Sequence, residues 1–144
     1  MRTFLFIFFI IFNFCLIFKI NQLFKPKTTA IAYGVSLIAV PLLSLAVAYV
    51  IKLIKGNITN DFQSIYIDIV TTLMIIIFLN LIVLLADSMV NKLLHFQETN
   101  YTANIGTNPV KFALHNKSGV QSFYKIAFFL GSILIFYGIW LGKK

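Results

Sequence analysis

Four continuous apolar blocks alternate with polar segments along this 144-residue chain. The blocks cover about residues 3–24, 29–51, 69–86 and 123–141. Their residues are continuously apolar rather than alternately apolar and polar, which indicates helices and disfavours the strands of a transmembrane barrel. About 20 helical residues cross a hydrocarbon core that is ~30 Å thick. The pattern therefore predicts an all-α integral membrane protein, folded as a four-transmembrane-helix bundle.

The polar segments between the blocks differ in length. Residues 52–67 form a short connection, whereas residues 88–122 form one long polar loop. The first part of this loop, residues 89–96, has the pattern of an amphipathic continuation of the third helix towards the membrane interface. We treat the whole chain, 1–144, as a single membrane domain.

The first apolar block follows Arg2, as the apolar stretch of a signal peptide would. No cleavage site with small residues follows it, so we expect it to remain as a spanning helix. Its phenylalanines occupy most of the helix circumference, which predicts a peripheral position in contact with lipid.

Small residues mark the expected helix contacts, because they let helix backbones approach closely in lipid. On the second helix they occupy two opposite faces, which predicts a central position between two neighbours and a kink at Pro41. On the fourth helix they form one stripe, which consists of Ala127, Gly131, Gly138 and Gly142. The spacing of Gly138 and Gly142 matches a GxxxG motif, which serves either a contact within the bundle or a homo-oligomer interface.

Polar residues on the third helix fall within about 100° of arc. They are Thr72, Asn80, Asp87 and Asn91. Such a stripe faces protein or water, because buried polar groups are costly in lipid. One hypothesis is that Asn80 bonds to Ser44 or Ser36 on the second helix, and that Asp87 ends the third helix at the interface. The other is that the stripe lines an ion path or contacts an inserted partner.

Composition supports the membrane assignment. The chain is 60% hydrophobic and 11% charged, with a mean hydropathy of +0.92. A soluble domain carries ~25% charged residues, so a water-soluble enzyme is excluded. The formal net charge is +8, but the lysines lie between apolar blocks, where they favour membrane lipids and not nucleic acid.

An even number of spans places both termini on one side of the membrane. Five basic residues lie on that side: Arg2, Lys52, Lys55, Lys143 and Lys144. Seven lie on the other side: Lys19, Lys25, Lys27, Lys92, Lys111, Lys117 and Lys125. This small excess leans towards termini outside the cytoplasm.

Catalytic and cofactor motifs are absent from the sequence. There is no Gly-rich phosphate loop, HExxH motif, serine elbow or pair of carboxylates. Cys15 is the only cysteine, and His95 and His115 have no third ligand beside them, whereas a zinc site needs three or four. We therefore expect no cofactor, no metal and no enzymatic activity.

One stretch, Thr107–Tyr124, resembles the immunity proteins against A-type pore-forming colicins. In that family a Pro-Val-basic triplet, an asparagine and a Phe-Tyr pair recur at similar spacing. The matching residues here are Pro109, Val110, Lys111, Asn116, Phe123 and Tyr124. The four spans, the long third connection and the Lys-ended C-terminus also agree with the family.

The resemblance implies a multi-pass bacteriocin immunity protein of the bacterial inner membrane. Such a protein binds the membrane-inserted domain of a pore-forming toxin and stops the channel from opening. Lys111 and Asn116 would be its determinants in the external loop. The helix contacts would be made by Ser44, Asn80, Gly131 and Gly138. The family holds both termini in the cytoplasm, opposite to the lean of the lysine count.

Two alternatives come from other classes of protein. One is a small ion channel or toxic membrane effector, in which the polar stripe of the third helix lines a pore. The other is an accessory subunit of a larger membrane complex, whose lysine-rich loops contact a soluble partner.

Overall fold

The computed structural model describes residues 1–20, 26–55, 60–100 and 116–142. In these ranges the chain forms four long helices: α1 Arg2–Cys15, continued by a π-helical turn at Leu16–Ile20, α2 Pro26–Lys55, α3 Asn60–Asn100 and α4 Lys117–Trp140. All four, with the π-helical turn counted into the first, are long and apolar enough to cross a membrane. The predicted fold class, a four-helix membrane bundle, is confirmed.

α2, α3 and α4 are longer than the apolar blocks that predicted them, whereas the end of the first block, residues 21–24, lies outside the described residues. α3 has 41 residues and extends on both sides of the predicted block 69–86. The first part of the predicted loop 88–122 is therefore helical, as far as Asn100. No proline or glycine lies between Asn60 and Asn100, so nothing in the backbone chemistry ends the helix where the apolar block ends.

α1, α3 and α4 form the core of the bundle. A cluster of buried side chains joins them: Phe9, Ile76, Phe136 and Trp140. The ring of Phe9 stacks on that of Trp140 with their centroids 5.6 Å apart. The expectation of a peripheral α1 holds for one of its faces, on which Phe4 and Phe8 are exposed. Another face belongs to the core, because Phe6 and Phe9 pack against aromatic residues of α4.

α2 lies at the edge of the bundle and packs mainly against α3. Thr29, near its start, is the one buried residue among those of α2 whose burial is described. The expected central position of α2 is therefore wrong. Of its two small-residue faces, the one with Gly34, Ser44 and Ala48 is half-buried, whereas Ala32 and Ala46 on the opposite face are exposed.

Candidate functional site

Polar side chains on α3 meet partners at three depths. Asp68 and Asp87 are separated by 19 residues, about 28 Å along a helix axis, which is close to the ~30 Å thickness of a hydrocarbon core. Asn80 lies between them. We call the contacts around Asp68 the terminal layer, those around Asn80 the middle layer, and those around Asp87 the loop layer.

The middle layer joins three helices through side chains that are almost completely buried. Asn80 Nδ2 donates to Asn13 Oδ1 at 3.0 Å and to the carbonyl oxygen of Ile76 at 2.9 Å. Asn13 Nδ2 donates to Ser132 Oγ at 2.8 Å, and Ser132 Oγ donates to the carbonyl oxygen of Phe129 at 2.6 Å. The polar groups of α1, α3 and α4 thus satisfy one another at mid-membrane depth.

Ser44 takes no part in the middle layer. Its hydroxyl donates to the carbonyl oxygen of Pro41 at 2.8 Å, and its own carbonyl accepts from Tyr66 Oη at 2.6 Å. The predicted bond from Asn80 to Ser44 or Ser36 is wrong, because α1 and not α2 packs against the polar face of α3. The hydrogen bond from Tyr66 is the contact that ties α2 to α3 at Ser44.

The terminal layer holds the start of α1 and the end of α4 against α3. Arg2 Nη2 lies 3.5 Å from Asp68 Oδ2 and donates to Ser64 Oγ at 3.0 Å. Trp140 Nε1 donates to Thr72 Oγ1 at 3.0 Å, and this hydroxyl donates to the carbonyl oxygen of Asp68 at 2.7 Å. The arginine next to the N-terminus is thereby a structural partner of α3.

The loop layer joins α3 to the first turns of α4. Lys125 Nζ lies 2.9 Å from Asp87 Oδ2, and the hydroxyl of Tyr124 donates to the same carboxylate. The Lys125 side chain is only 9% exposed, so solvent screens this ion pair weakly. One turn further along α3, Gln121 Nε2 lies 3.4 Å from Asn91 Oδ1.

Together these contacts show that Thr72, Asn80 and Asp87 face protein. The expectation that Asp87 ends the third helix is wrong, because α3 continues to Asn100. Buried apolar side chains of α3, among them Ile76 and Val83, separate the three layers. The polar groups therefore do not form a continuous path through the bundle. In the part of the chain that the structure describes, no group of three or more His, Cys, Asp or Glu side chains is placed to hold a metal ion.

The opposite side of α4 carries a shallow groove made by two glycines. A Cβ atom added at Gly131 or Gly138 would meet no described atom within 4 Å, so neither glycine serves a contact within the described bundle. Leu130 and Leu134 border the groove and are 56% and 74% exposed. We call this surface, comprising Ala127, Leu130, Gly131, Leu134 and Gly138, the glycine face.

Gly142 does not extend the glycine face. It lies beyond Trp140, the last residue of α4, and its N–H donates to the carbonyl oxygen of Tyr137 at 3.0 Å. A Cβ atom at Gly142 would lie 2.7 Å from the carbonyl oxygen of Gly138. Gly142 therefore lies in a close turn past the helical surface that carries Gly138, and a homo-oligomer through these two glycines stays a prediction.

Of the two predicted loop determinants, Asn116 is among the described residues. Asn116 is exposed immediately before α4, and its carbonyl oxygen accepts from the N–H of Val120 at 2.9 Å. Lys111 lies outside the described residues. Ser44, which bonds to Pro41 and Tyr66, does not lie on the glycine face.

Asn13 and Ser132 were missed as partners by sequence reasoning. The available signal was that each is a polar residue inside an otherwise apolar helix, as Asn80 is. Such residues in spanning helices form hydrogen bonds with one another.

Comparison of the chain with protein-family models, curated proteins and solved structures finds no match.

Proposed function

We propose that this chain is an immunity protein against a pore-forming bacteriocin. It resides in the bacterial inner membrane, binds a transmembrane helix of the inserted toxin through the glycine face of α4, and prevents the channel from opening. The observation that carries this proposal is the open groove at Gly131 and Gly138. Helices associate in lipid where small residues let backbones approach, and no described helix of this bundle uses the groove.

The internal pairing of the three layers also supports a role in binding. Asn80 and Thr72 donate their hydrogen bonds inside the bundle, so the scaffold that presents the glycine face is held by its own polar contacts. The same pairing gives less support to an ion channel, which would need polar side chains free to face water.

The resemblance of residues 107–124 to colicin immunity proteins is the second support. In this stretch the Phe-Tyr pair divides between two surroundings: Phe123 is 76% exposed, whereas Tyr124 bonds to Asp87 in the loop layer. Phe123 therefore stands on the outer surface of α4 above the glycine face. An inserted toxin helix in the groove would contact it.

The test measures potassium efflux from bacteria that express the chain while the pore-forming domain of an A-type colicin is delivered to the periplasm. We expect expression to suppress the efflux, and Gly131→Leu or Gly138→Leu to restore it. Gly34→Leu is the matched control, because a Cβ atom at Gly34 on α2 also meets open space.

Other outcomes would contradict the proposal. Full protection by the Gly131→Leu and Gly138→Leu variants would exclude the glycine face as the toxin-binding surface. Efflux on expression without any toxin would favour the channel alternative. Absence of protection, together with purification in a fixed ratio with another membrane protein, would favour an accessory subunit.

A further inference from the structure

α3 continues far beyond the loop layer. From Asp87 to Asn100 it adds 13 residues, about 20 Å of helix, whereas a headgroup layer adds only ~5–8 Å beyond the hydrocarbon core on each side. We call residues 88–100 the α3 extension. If α3 stood perpendicular to the membrane, Leu93 and Phe96 would lie in water.

The exposed side chains of the α3 extension are nevertheless apolar on one face. Met89, Leu93 and Phe96 are 71%, 63% and 56% exposed. They lie within about 60° of one another around the helix. This face continues the outward surface of the spanning part, where Phe78 and Leu85 are about half exposed and Thr71 is an exposed polar residue.

The length of this apolar face exceeds that of a hydrocarbon core. From Ile67, which is exposed at the same face, to Phe96 it runs about 43 Å, against ~30 Å of hydrocarbon. A spanning helix with too long an apolar surface tilts to bury it. Tilting towards this face brings Leu93 and Phe96 down onto the membrane surface.

A positive charge at the edge of the apolar face, that of Lys92, favours anionic phospholipids. Lys92 is exposed and lies about 60° around the helix from Met89, at the edge of the apolar stripe. From this position its ammonium group can reach lipid phosphates while its apolar stem packs on the membrane boundary. We propose that the α3 extension is a lipid-binding surface that leans on the bilayer and binds anionic phospholipid headgroups through Lys92, Leu93 and Phe96.

The test places a nitroxide label on each side of the α3 extension in the full chain, with Cys15→Ser as background. Leu93→Cys and His95→Cys carry the labels about 3 Å apart in height but ~160° apart around the helix. Vesicles are made of phosphatidylcholine with phosphatidylglycerol, or of phosphatidylcholine alone.

We expect the label at position 93 to be relaxed by oxygen and shielded from a water-soluble nickel chelate, and the label at 95 to show the reverse. Adding Lys92→Gln should reduce the shielding in the anionic vesicles to the level seen with phosphatidylcholine alone.

Equal nickel access at the two positions would overturn the proposal. So would shielding at position 93 that disappears when the protein is diluted with lipid, because a second copy would then have covered the face. No toxin enters the experiment, so its outcome is independent of the proposed immunity function.

Discussion

The middle layer is stable because two asparagine side chains satisfy each other away from water. Asn80 donates a hydrogen bond to Asn13, and Asn13 donates one to Ser132. An interhelical hydrogen bond in a membrane protein contributes on average only about 0.6 kcal/mol. A buried polar group left without its partner costs more, ~1–3 kcal/mol.

This asymmetry predicts the outcome of a double-mutant cycle. Asn13→Leu and Asn80→Leu should each destabilise the protein by ~1–3 kcal/mol, because each leaves the other amide without its partner. The double variant should be less destabilised than the sum of the two. Unfolding in mixed detergent micelles measures the three free energies, and strict additivity would show that the two amides do not interact. If Asn80→Leu reduces protection against the toxin, the reduction should be explained by the loss of folding stability, because Asn80 is buried inside the bundle.

Loss of the ion pair in the loop layer should destabilise the protein more than loss of the asparagine pair in the middle layer. Lys125→Met leaves the Asp87 carboxylate, which is 18% exposed, without its cation. The loss should approach but not exceed the ~3–5 kcal/mol that breaking a fully buried ion pair costs. Adding Asp87→Asn should recover part of the loss, since the amide oxygen still accepts from Tyr124. The same unfolding assay checks this; a double variant less stable than Lys125→Met would contradict the pairing.

The sequence predicted the polar face of α3 at the scale of single residues but not its partners. The 100° spacing places Thr72, Asn80 and Asp87 on one side of any ideal helix. Which helix lies opposite depends on packing between segments distant in the chain. Asn80 was therefore assigned to Ser44 of α2, whereas the contact is with Asn13 of α1.

At the scale of helices, hydropathy predicted the number of spans and missed their ends and order. Apolar residues decide which part of a helix lies in hydrocarbon, while glycine, proline and capping decide where the helix stops. Residues 88–100 lack glycine and proline, so α3 continues into the predicted loop. A phenylalanine-rich helix such as α1 suits lipid and an aromatic neighbour equally, and composition does not distinguish the two.

The position of α1 in the core predicts a contrast between two of its phenylalanines. Phe9 is 4% exposed and stacks on Trp140, whereas Phe4 is 72% exposed. Phe9→Ala leaves a cavity of ~100 Å³, which corresponds to about 2.4 kcal/mol from the cavity alone. Lipid tails fill the space at Phe4→Ala, so that control should stay within ~0.5 kcal/mol of the original. Equal losses of stability in Phe9→Ala and Phe4→Ala would contradict the placement of Phe9 in the core.

At the scale of the whole molecule, two of the basic residues are neutralised inside the bundle. Arg2 lies against Asp68 on the side of the termini, and Lys125 against Asp87 on the other side. One charge is removed from each side, so the excess of basic residues opposite the termini stays at two. An excess of two against four on the poorer side is a weak determinant of orientation, because the positive-inside rule depends on a clear bias in the short loops.

The proposed function makes a definite prediction about orientation. A protein that meets a toxin arriving from the periplasm should present the start of α4 there, with both termini in the cytoplasm. In a Cys15→Ser background, Asn116→Cys should react with a membrane-impermeant thiol reagent in intact cells. Lys52→Cys, which is also exposed but lies on the side of the termini, should react only after the cells are opened. The reverse pattern would place the start of α4 in the cytoplasm, as the lysine excess favours, and would separate it from a toxin that arrives from outside.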